Sequence, residues 1–434
     1  MSSGPRFAFY GDDFTGATDT LATAARAGLK SLLFLRVPDA AQLARAGALD
    51  CVGIAGAARS MSPTEMAHEL APVATYFREC GARWLHYKTC STFDSAVGVG
   101  SIGAAVQELL PASGHPWVAI VGGQPNLNRY CLFGNLFASA GTGGEVFRID
   151  RHPTMSAHPV TPMHEADLRR HLAPQGVAPI GLVPWPVYAQ GREALQQRVI
   201  DALAARPQGL LFDVGDETHL RMLGMELSRH AERAPLLAVG SSSVVQAFSA
   251  VEGTIDAPCS ITPTASARGP VLVLAGSLSP ATARQVAAAG GAFETVWLDP
   301  LRMVEVDGSA LGAYAHDLSS RLSQGRHVLA CTAGVRSDVS AHALAAACGT
   351  LLARVLAATP LTRVGVAGGD TSSHAVRALD AWGLSYIGSL APGVALCRVH
   401  SDKPALDGME LMLKGGQMGG NDLFGLLLVG TSGC

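Results

Sequence analysis

Short apolar runs alternate with helix-length amphipathic segments along almost all of this 434-residue chain. The runs have the length of buried strands, and the segments between them carry the apolar period of helices. Strands are predicted at residues 6–10, 31–35, 52–55, 83–87, 117–121, 180–183, 209–213, 236–239, 271–275, 328–331 and 363–367, with helices at 15–28, 63–80 and 192–205 among others. This alternation predicts an α/β protein in which a largely parallel or mixed sheet is flanked by helices.

The alternation lapses across residues 252–269, whose sequence is EGTIDAPCSITPTASARG. This stretch is rich in Pro, Ser, Thr and Ala and has no sustained apolar period, which is typical of a linker. A chain of this length usually splits into more than one core. We therefore predict two α/β domains, residues 1–255 and 270–434, joined by a linker at 256–269, with the active site in a cleft between them.

The composition excludes several classes of protein. Hydrophobic residues make up 48% of the chain and charged residues 15%, so large cores can form. A net charge of -3 offers no electrostatic case for a nucleic acid or an anionic membrane as partner. The nine cysteines are scattered singly, which favours neither a zinc ribbon nor a disulfide framework. We expect a reduced, cytoplasmic protein without a membrane span, and a homodimer is left open.

Two adjacent aspartates follow the first predicted strand, in the sequence FYGDDFTGATDT at residues 9–20. Asp12 and Asp13 would stand at the carboxyl end of that strand, which is the edge where open α/β sheets bind ligands. A carboxylate at this position can orient a hydroxyl group or accept its proton. The structural alternative is that one aspartate caps the following helix and the other faces water.

The segment YKTCSTFDSAVGVGSIG, residues 87–103, combines Lys88 with Ser91, Thr92 and Asp94 ahead of a glycine-rich helix start. Hydroxyl groups, one cation and free backbone N–H groups suit a small, oxygen-rich anion. A hydrated Ser/Thr turn is the alternative. The hexapeptide GVGSIG fits G-x-G-x-x-G, but it does not follow its strand directly and lacks a suitably placed acidic residue for a ribose. A nicotinamide-dependent dehydrogenase is therefore not expected.

Residues 149–168, IDRHPTMSAHPVTPMHEADL, contain three histidines spaced by six. Metal-binding histidines on one helix lie three or four residues apart, so no protein metal site is predicted. His158 and Thr161 are candidates to face a cleft. Thr161, or the stretch just after it, is the expected cap of a helix through Leu168 and Leu172.

Three glycine- or serine-rich stretches adjoin strands in the second predicted domain: AGSLSPATARQV (275–286), AGGDTSSHAVRAL (367–379) and LKGGQMGGNDLFG (413–425). Such a turn before a helix presents N–H groups and the positive helix end to phosphate oxygens. One turn of this kind is common, but three in one domain, the last carrying Lys414, favour a polyphosphate site. The chain has no Walker loop, so a nucleotide would be bound in another way.

Taken in order, GDDFTGATDT, KTCSTFDS with GSIG, HPVTPM with ADL, GSLSPATARQ, GGDTSSHAVRAL and LKGGQMGGNDLF follow the pattern of the four-carbon acid sugar kinase family. The chain resembles that family from about residue 6 to residue 425. The resemblance implies a phosphotransferase with an alcohol group as acceptor. It would phosphorylate the 4-hydroxyl of a C4 sugar acid, such as threonate, erythronate or 3-oxo-tetronate, using ATP with its Mg²⁺. The acid would bind in the N-terminal domain and the nucleotide in the C-terminal domain.

Carried over residue by residue, the resemblance implies roles for individual side chains. Asp13 is predicted to be the catalytic carboxylate, and Asp12 to hold substrate hydroxyls or a water on Mg²⁺. Lys88 would pair with the substrate carboxylate, the alternative being a transferring phosphate oxygen. The remaining substrate candidates are Thr15, Ser91, Thr92, Asp94, His158 and Thr161, and the nucleotide candidates are Ser277, Gly368, Gly369, Asp370, Thr371, Lys414, Gly415 and Gly416.

The chain departs from the family pattern at several positions. Asp370 stands where Glu is usual, Asn128 where Gly is common, and Asn135 where His is common. Two other functions stay open from the sequence. One is a kinase of this fold acting on another small hydroxy acid or polyol, and the other is a sugar-acid binding or regulatory protein without transfer activity. The retained carboxylate pair argues against the latter.

Overall fold

The computed structural model describes residues 4–141, 143–158, 160–253, 262–276, 279–332, 339–416 and 418–432. The chain divides into two compact units. The first unit comprises Met1–Leu32 and Val37–Pro258, and the second comprises Leu33–Arg36 and Cys259–Cys434. The two-domain α/β class predicted from the alternating pattern is confirmed.

Strands and helices alternate along the first unit. In chain order its elements are β1 (Phe7–Gly11), α1 (Phe14–Arg26), β2 (Ser31–Phe34), α2 (Ala40–Ala46), β3 (Cys51–Ala55), α3 (Pro63–Glu79), β4 (Trp84–Lys88), α4 (Ile102–Leu109), β5 (Val118–Gly122), β6 (Arg129–Leu132), β7 (Asn135–Ser139), β8 (Val146–Arg148), α5 (Leu168–Leu172), β9 (Ile180–Val183), α6 (Arg192–Ala204), β10 (Gly209–Asp213), α7 (Thr218–Ala231), β11 (Leu236–Gly240) and α8 (Ser243–Glu252).

The sheet of the first unit is parallel, with strand order β3-β1-β4-β11-β5-β10-β9. Every residue of β1, β4, β5, β10 and β11 is buried. Strands covered on both faces read as continuous apolar runs, which is why the sequence located their ends to within one residue. The parallel register brings the carboxyl ends of β1, β4, β11 and β5 to one edge of the sheet.

A small antiparallel sheet of β6, β7 and β8 follows β5. It was not predicted, because its strands are only partly buried and their apolar pattern is weak. Helix α5 runs through Leu168 and Leu172 as expected, but its cap is Asp167, whose side chain accepts from the Arg169 N–H at 3.0 Å. Of the two alternatives for this cap, Thr161 is wrong, and the cap lies in the stretch after it.

The second unit also alternates, and then changes to antiparallel strands. Its elements are β12 (Val271–Ala275), α9 (Pro280–Ala289), β13 (Glu294–Leu298), α10 (Pro300–Met303), α11 (Ser309–Ser323), β14 (Val328–Thr332), α12 (Ala341–Ala358), β15 (Arg363–Ala367), α13 (Gly369–Ala378), β16 (Gly383–Ala391), β17 (Val394–His400), β18 (Glu410–Lys414) and α14 (Leu423–Val429). The strand order is β13-β14-β12-β15-β18-β17-β16, in which β17 is antiparallel to both neighbours.

Two segments are placed in ways that the sequence did not suggest. Within the predicted linker, residues 256–261 lie outside the described residues, whereas Thr264 pairs with Thr431 in the second unit. Near the start of the chain, Leu33–Arg36 belongs to the second unit, where Phe34 pairs with Gly383 of β16. The ring of Phe34 lies 6.1 Å from that of Trp382.

Candidate active site

The two adjacent aspartates lie at the carboxyl end of β1, beside the end of β4. Gly11 pairs with Lys88 across these strands, and the Asp12 N–H donates to the Lys88 carbonyl at 3.0 Å. Asp12 is 2% exposed and Asp13 6% exposed. Burying two neighbouring carboxylates is costly unless cations and hydrogen bonds compensate them. The surrounding groups therefore determine what this pair can do.

Asp13 is the N-cap of α1. Its Oδ1 accepts from the Gly16 N–H at 2.7 Å, and its Oδ2 accepts from the Thr15 hydroxyl, also at 2.7 Å. The structural alternative, in which one aspartate caps the helix and the other faces water, is thus right about the cap, which is Asp13. It is wrong about Asp12, which is buried against protein groups and does not face water.

Arg59 binds both carboxylates, and the sequence did not single it out. Its Nη2 donates to Asp12 Oδ1 at 2.7 Å and its Nε to Asp12 Oδ2 at 3.3 Å, while Nη1 donates to Asp13 Oδ2 at 2.8 Å. Thr89 also donates its hydroxyl to Asp12 Oδ2, at 3.1 Å. Arg59 follows β3, which pairs with β1 in parallel. The strand-end rule that located the aspartates would have found Arg59 if applied to β3.

The two carboxylates differ in proton affinity. Burial raises the pKa of Asp12, and the opposing charge of Arg59 does not cancel that effect. Burial also acts to raise the pKa of Asp13, but Arg59, Lys88 and the hydrogen bonds from Thr15 and Gly16 outweigh it, so the pKa of Asp13 is lowered. Asp12 is consequently the stronger proton acceptor of the pair.

Lys88 lies beside the carboxylates and over the start of α1. It is 3% exposed, and its Nζ donates to the Thr89 carbonyl at 2.7 Å. A Cβ on Gly16 would stand 2.7 Å from this Nζ and 2.5 Å from Asp13 Oδ1, so only glycine fits there. The positive charge of Lys88 acts to lower the pKa of both aspartates, although the pKa of Asp12 stays raised by burial. The four charged groups Asp12, Asp13, Arg59 and Lys88 sum to zero.

The loop after β4 carries the other polar candidates of this region. The Cys90 thiol lies 2.8 Å from the Thr92 hydroxyl, and that hydroxyl donates to Asp94. Thr92 and Asp94 are both 5% exposed, whereas Ser91 is half-buried. Burial raises the pKa of Cys90 to about 11, and the charges of Asp94, Arg59 and Lys88 also act on it. This loop therefore adjoins the carboxylate cluster.

Serines at the carboxyl end of β11 were also missed from the sequence. Ser241, Ser242 and Ser243 are fully buried at the start of α8. Ser242 donates to Asp19 on α1, which also accepts from Gln124 Nε2 at 3.3 Å. Since β11 and β5 follow β4 in the sheet, these groups extend the polar edge away from the aspartates.

His158 and Thr161 contact each other. His158 Nδ1 lies 3.1 Å from both the backbone nitrogen and the hydroxyl oxygen of Thr161. Among the described residues, no hydrogen bond joins either of them to the aspartates, Arg59 or Lys88. Their assignment to the substrate stays a prediction.

In the second unit, glycine turns meet at the ends of β12, β15 and β18. Gly368 has φ +125°, a conformation that favours glycine, and its N–H donates to the Lys414 carbonyl at 2.9 Å. A Cβ on Gly276 would lie 2.2 Å from the Thr371 hydroxyl oxygen. Ser372, on the first turns of α13, is fully buried, and its hydroxyl has no hydrogen-bond partner among the residues that the structure describes. The close approach of Gly276 to Thr371 and the Ser372 hydroxyl at the start of α13 are suited to bind a phosphate oxygen.

Lys414 is fully buried next to these turns. Its Nζ lies 2.8 Å from the Thr282 hydroxyl, 2.7 Å from Gln285 Oε1 and 3.3 Å from the Gly416 carbonyl. Burial lowers the pKa of Lys414 to about 7. Gln285 Nε2 in turn donates to the carbonyls of residues 418, 419 and 420 at 3.0–3.1 Å. Lys414 and Gln285 thereby fix the glycine turn after β18.

The remaining nucleotide candidates are placed only in part. Gly369 begins α13, with Asp370 and Thr371 on its first turn, and Gly415 and Gly416 follow β18 directly. Ser277 and the side chain of Asp370 lie outside the described residues.

Comparison with known proteins assigns each unit to a domain family. Residues 7–248 match the sugar-binding N-terminal domain, and residues 272–424 match the nucleotide-binding C-terminal domain. The chain belongs to the four-carbon acid sugar kinase family. The prediction of this family, and with it of a kinase, is confirmed.

Two curated relatives span nearly the whole chain. The 3-oxo-isoapionate kinase of Paraburkholderia graminis is 37% identical, and the match covers 99% of this chain and 95% of the relative. The 3-oxo-tetronate kinase of Methylobacterium radiotolerans is 31% identical, with 96% and 97% covered.

Solved structures of low identity share the fold. A protein from Salmonella typhimurium LT2 superposes with a TM-score of 0.78 at 24% identity, covering 96% of this chain and 97% of that one. A Haemophilus influenzae protein gives a TM-score of 0.69 at 23% identity, covering 97% and 100%. Within the described residues, no helix is both long and apolar enough to cross a bilayer.

Proposed function

We propose that this chain is an ATP-dependent kinase that phosphorylates the 4-hydroxyl of a four-carbon sugar acid. The candidate acceptors are 3-oxo-tetronate, threonate and erythronate, with 3-oxo-tetronate first because several relatives carry that name. The observation that carries the proposal is the buried pair Asp12 and Asp13, held by Arg59 and Lys88 in the unit that matches a sugar-binding domain.

The acceptor hydroxyl is expected beside the carboxylate pair. A sugar hydroxyl is a weak nucleophile, and a carboxylate that takes its proton as the new P–O bond forms accelerates the transfer. The sequence pointed to Asp13 as this base. The contacts now favour Asp12, whose pKa is raised, because its three side-chain donors lie at 2.7–3.3 Å whereas the three donors to Asp13 all lie at 2.7–2.8 Å. Asp13 would then hold Arg59 and the helix start in place.

Lys88 was predicted to bind either the acid carboxylate or a transferring phosphate oxygen. Its ammonium group lies beside the same carboxylates that would hold the acceptor hydroxyl. A cation at that point meets the incoming phosphoryl group, whose charge must be neutralised during transfer. Its position therefore supports the phosphate alternative.

The second unit would bind ATP through backbone groups. The turn at Gly368, the close approach of Gly276 to Thr371, and the unsatisfied Ser372 hydroxyl fit phosphate oxygens. Mg²⁺, arriving with the nucleotide, would neutralise phosphate charge during transfer. After transfer the phosphate is esterified to the acid, ADP leaves, and the proton stays on the base until solvent removes it.

A second acceptor has a specific observation in its favour. The relative at 37% identity is named a 3-oxo-isoapionate kinase, whereas the 3-oxo-tetronate kinase of Methylobacterium radiotolerans is 31% identical. Both names specify a 3-oxo acid. The acceptor of this chain would then be 3-oxo-isoapionate, phosphorylated by the same carboxylate machinery.

A coupled ADP-release assay tests these proposals. The acids are D-threonate, L-threonate, D-erythronate, L-erythronate, both 3-oxo-tetronates and 3-oxo-isoapionate. We expect one 3-oxo acid to exceed the others in kcat/KM by at least about tenfold. The reason is that a site that hydrogen-bonds a polar group of its substrate discriminates strongly against acids that lack this group. Binding of these acids without ADP release would instead favour a regulatory protein without transfer activity.

A further inference from the structure

Arg129 begins β6, just beyond the carboxyl end of β5. Its backbone is fixed against Gln124, with the Gln124 N–H donating to the Arg129 carbonyl at 2.7 Å and the Arg129 N–H donating back at 3.2 Å. Gln124 in turn reaches Asp19 on α1, the helix that Asp13 caps. Arg129 therefore lies on the same polar edge of the first unit as the carboxylate pair.

The guanidinium group of Arg129 has no carboxylate partner. Its Nη1 donates to the Leu127 carbonyl at 2.7 Å and to the Asn128 carbonyl at 3.3 Å. Its Nε is shielded from solvent and has no hydrogen-bond partner among the described residues. Across the described part of the chain, no Asp or Glu oxygen lies within the 4.0 Å of an ion pair with it. Burial accordingly lowers the pKa of Arg129.

Two other arginines near the strand ends or in the core are paired with carboxylates. Arg59 binds Asp12 and Asp13, and Arg363, which is 1% exposed, donates to Glu410 at 2.6 Å. An unpaired cation in a shielded position destabilises the folded protein. Such a cation is therefore expected where a ligand supplies the compensating negative charge. The edge of a guanidinium formed by Nε and Nη2 is the edge that carboxylates bind with two parallel hydrogen bonds.

The Cys90 thiol is close to both Arg129 and the group of charges around the aspartates. The charges of Arg59, Lys88 and Asp94 all act on the Cys90 thiol, so this thiol adjoins the carboxylate cluster. The same thiol acts on Arg129. Arg129 and the four-charge cluster are thus both close to Cys90 in the loop after β4.

We propose that Arg129 binds the carboxylate group of the acid substrate, while the hydroxyl to be phosphorylated lies at Asp12 and Asp13. This inference rests on the proposed function and adds the orientation of the acid within the site. The aspartates and their cations are neutral as a group, so they offer no net attraction to an acid. Arg129, in contrast, carries a positive charge that no described carboxylate compensates, and its Nε makes no hydrogen bond to a described residue, so it would distinguish an acid from the neutral polyol.

The test compares Arg129→Met and Arg129→Lys with Arg148→Met as the control. Arg148 is an exposed arginine of the same unit that is paired with Asp150. The seven acids of the ADP-release panel are the probes, with threitol and erythritol as neutral counterparts. Arg129→Met should raise KM for each accepted acid by at least about tenfold, with kcat and the KM for ATP changed less than threefold. Arg129→Lys should recover part of the loss, and the control should match the wild type.

Two results would overturn the inference. One is an Arg129→Met protein that melts like the wild type and keeps its KM for the acid. The other is an equal rise in KM for acid and for ATP, which indicates a general loss of structure. If the wild type releases no ADP with any acid, the proposed function fails on its own. The same acids would then be measured by calorimetry, where equal affinity for wild type and Arg129→Met, or no binding to the wild type, also overturns the role of Arg129.

Discussion

Arg59 meets Asp12 along one edge of its guanidinium group, with Nη2 2.7 Å from Oδ1 and Nε 3.3 Å from Oδ2. The remaining Nη1 binds Asp13 at 2.8 Å. One side chain therefore holds two adjacent carboxylates in fixed positions. Asp12 Oδ2 makes only longer contacts, to Arg59 Nε at 3.3 Å and to the Thr89 hydroxyl at 3.1 Å. That oxygen is the one we expect to receive a proton.

Replacing each aspartate by asparagine separates their roles. Asp12→Asn should keep the fold and lower kcat by at least about a hundredfold, the usual cost of losing a general base. Asp13→Asn keeps a good helix cap and should mainly raise KM for the acid. Steady-state kinetics on both variants, with melting curves as the control, decide the question. A collapse of kcat in Asp13→Asn alone would assign the base to Asp13, and no change in either would make the pair structural.

Lys88→Met tests where the transferring phosphoryl group lies. If Lys88 meets that group, kcat falls by about a hundredfold or more, because the interaction exists only during transfer. The KM for the acid should change little, in contrast to Arg129→Met. A large rise in KM for the acid with kcat retained would return Lys88 to the role of carboxylate partner.

Lys414 should make nucleotide binding depend on pH. Its pKa of about 7 leaves it mostly neutral at pH 8, and a polyphosphate placed near it raises that pKa. Binding of ATP at pH 8 should therefore take up as much as one proton. Calorimetry in buffers of different ionisation enthalpy measures this uptake, and Lys414→Met should abolish it. Equal uptake by both proteins would exclude Lys414 from the phosphate site.

The same lysine predicts a stability trend in the absence of nucleotide. Between pH 7 and about 10.4 the unfolded chain holds a proton on Lys414 that the folded chain lacks. The free energy of unfolding should therefore rise with pH across that window. Urea unfolding of wild type and Lys414→Met measures the difference, and parallel curves would show that Lys414 stays protonated when buried.

Gly368→Ala tests the nucleotide turn. A φ of +125° is strained for alanine, at a cost of about 1–3 kcal/mol, so the turn before α13 should shift. The variant should lose ATP-dependent thermal stabilisation and keep acid-dependent stabilisation. Gly425→Ala is the matched control, since a Cβ there meets open space. Full ATP affinity in Gly368→Ala would require another nucleotide site.

His86 should make the protein sensitive to mild acid. Its ring packs 5.7 Å from that of Phe7, its Nε2 lies 3.1 Å from the Gly240 carbonyl, and burial lowers its pKa to about 3. Below pH 6.5 the unfolded chain takes up a proton that folded His86 cannot accept. The free energy of unfolding should fall by about 1.4 kcal/mol per pH unit between 6.5 and 3 on this account. His86→Phe should flatten the profile, and an unchanged slope would exclude His86.

The sequence predicted the strands because they are buried on both faces and read as unbroken apolar runs, as in FAFYG of β1. The half-exposed strands β6 to β8 carry no such signal. Among the site residues, Asp12 and Asp13 were conspicuous as a pair. Arg59 and Arg129 were not, because each is one arginine among many. Arg59 follows a predicted strand and could have been found by its position, whereas only the fold reveals which charged groups each arginine contacts.

The placement of Leu33–Arg36 in the second unit has a consequence for how the chain is made. These residues leave the ribosome early, yet their partner strand, beginning at Gly383, is synthesised about 350 residues later. Until then the segment has no strand to pair with, and β16 made without it would present an unpaired edge. A fragment starting at residue 262 would therefore expose an unpaired edge of β16 that can pair with other chains. In the nascent chain, Leu33–Arg36 can pair with β16 only after the second unit has been synthesised.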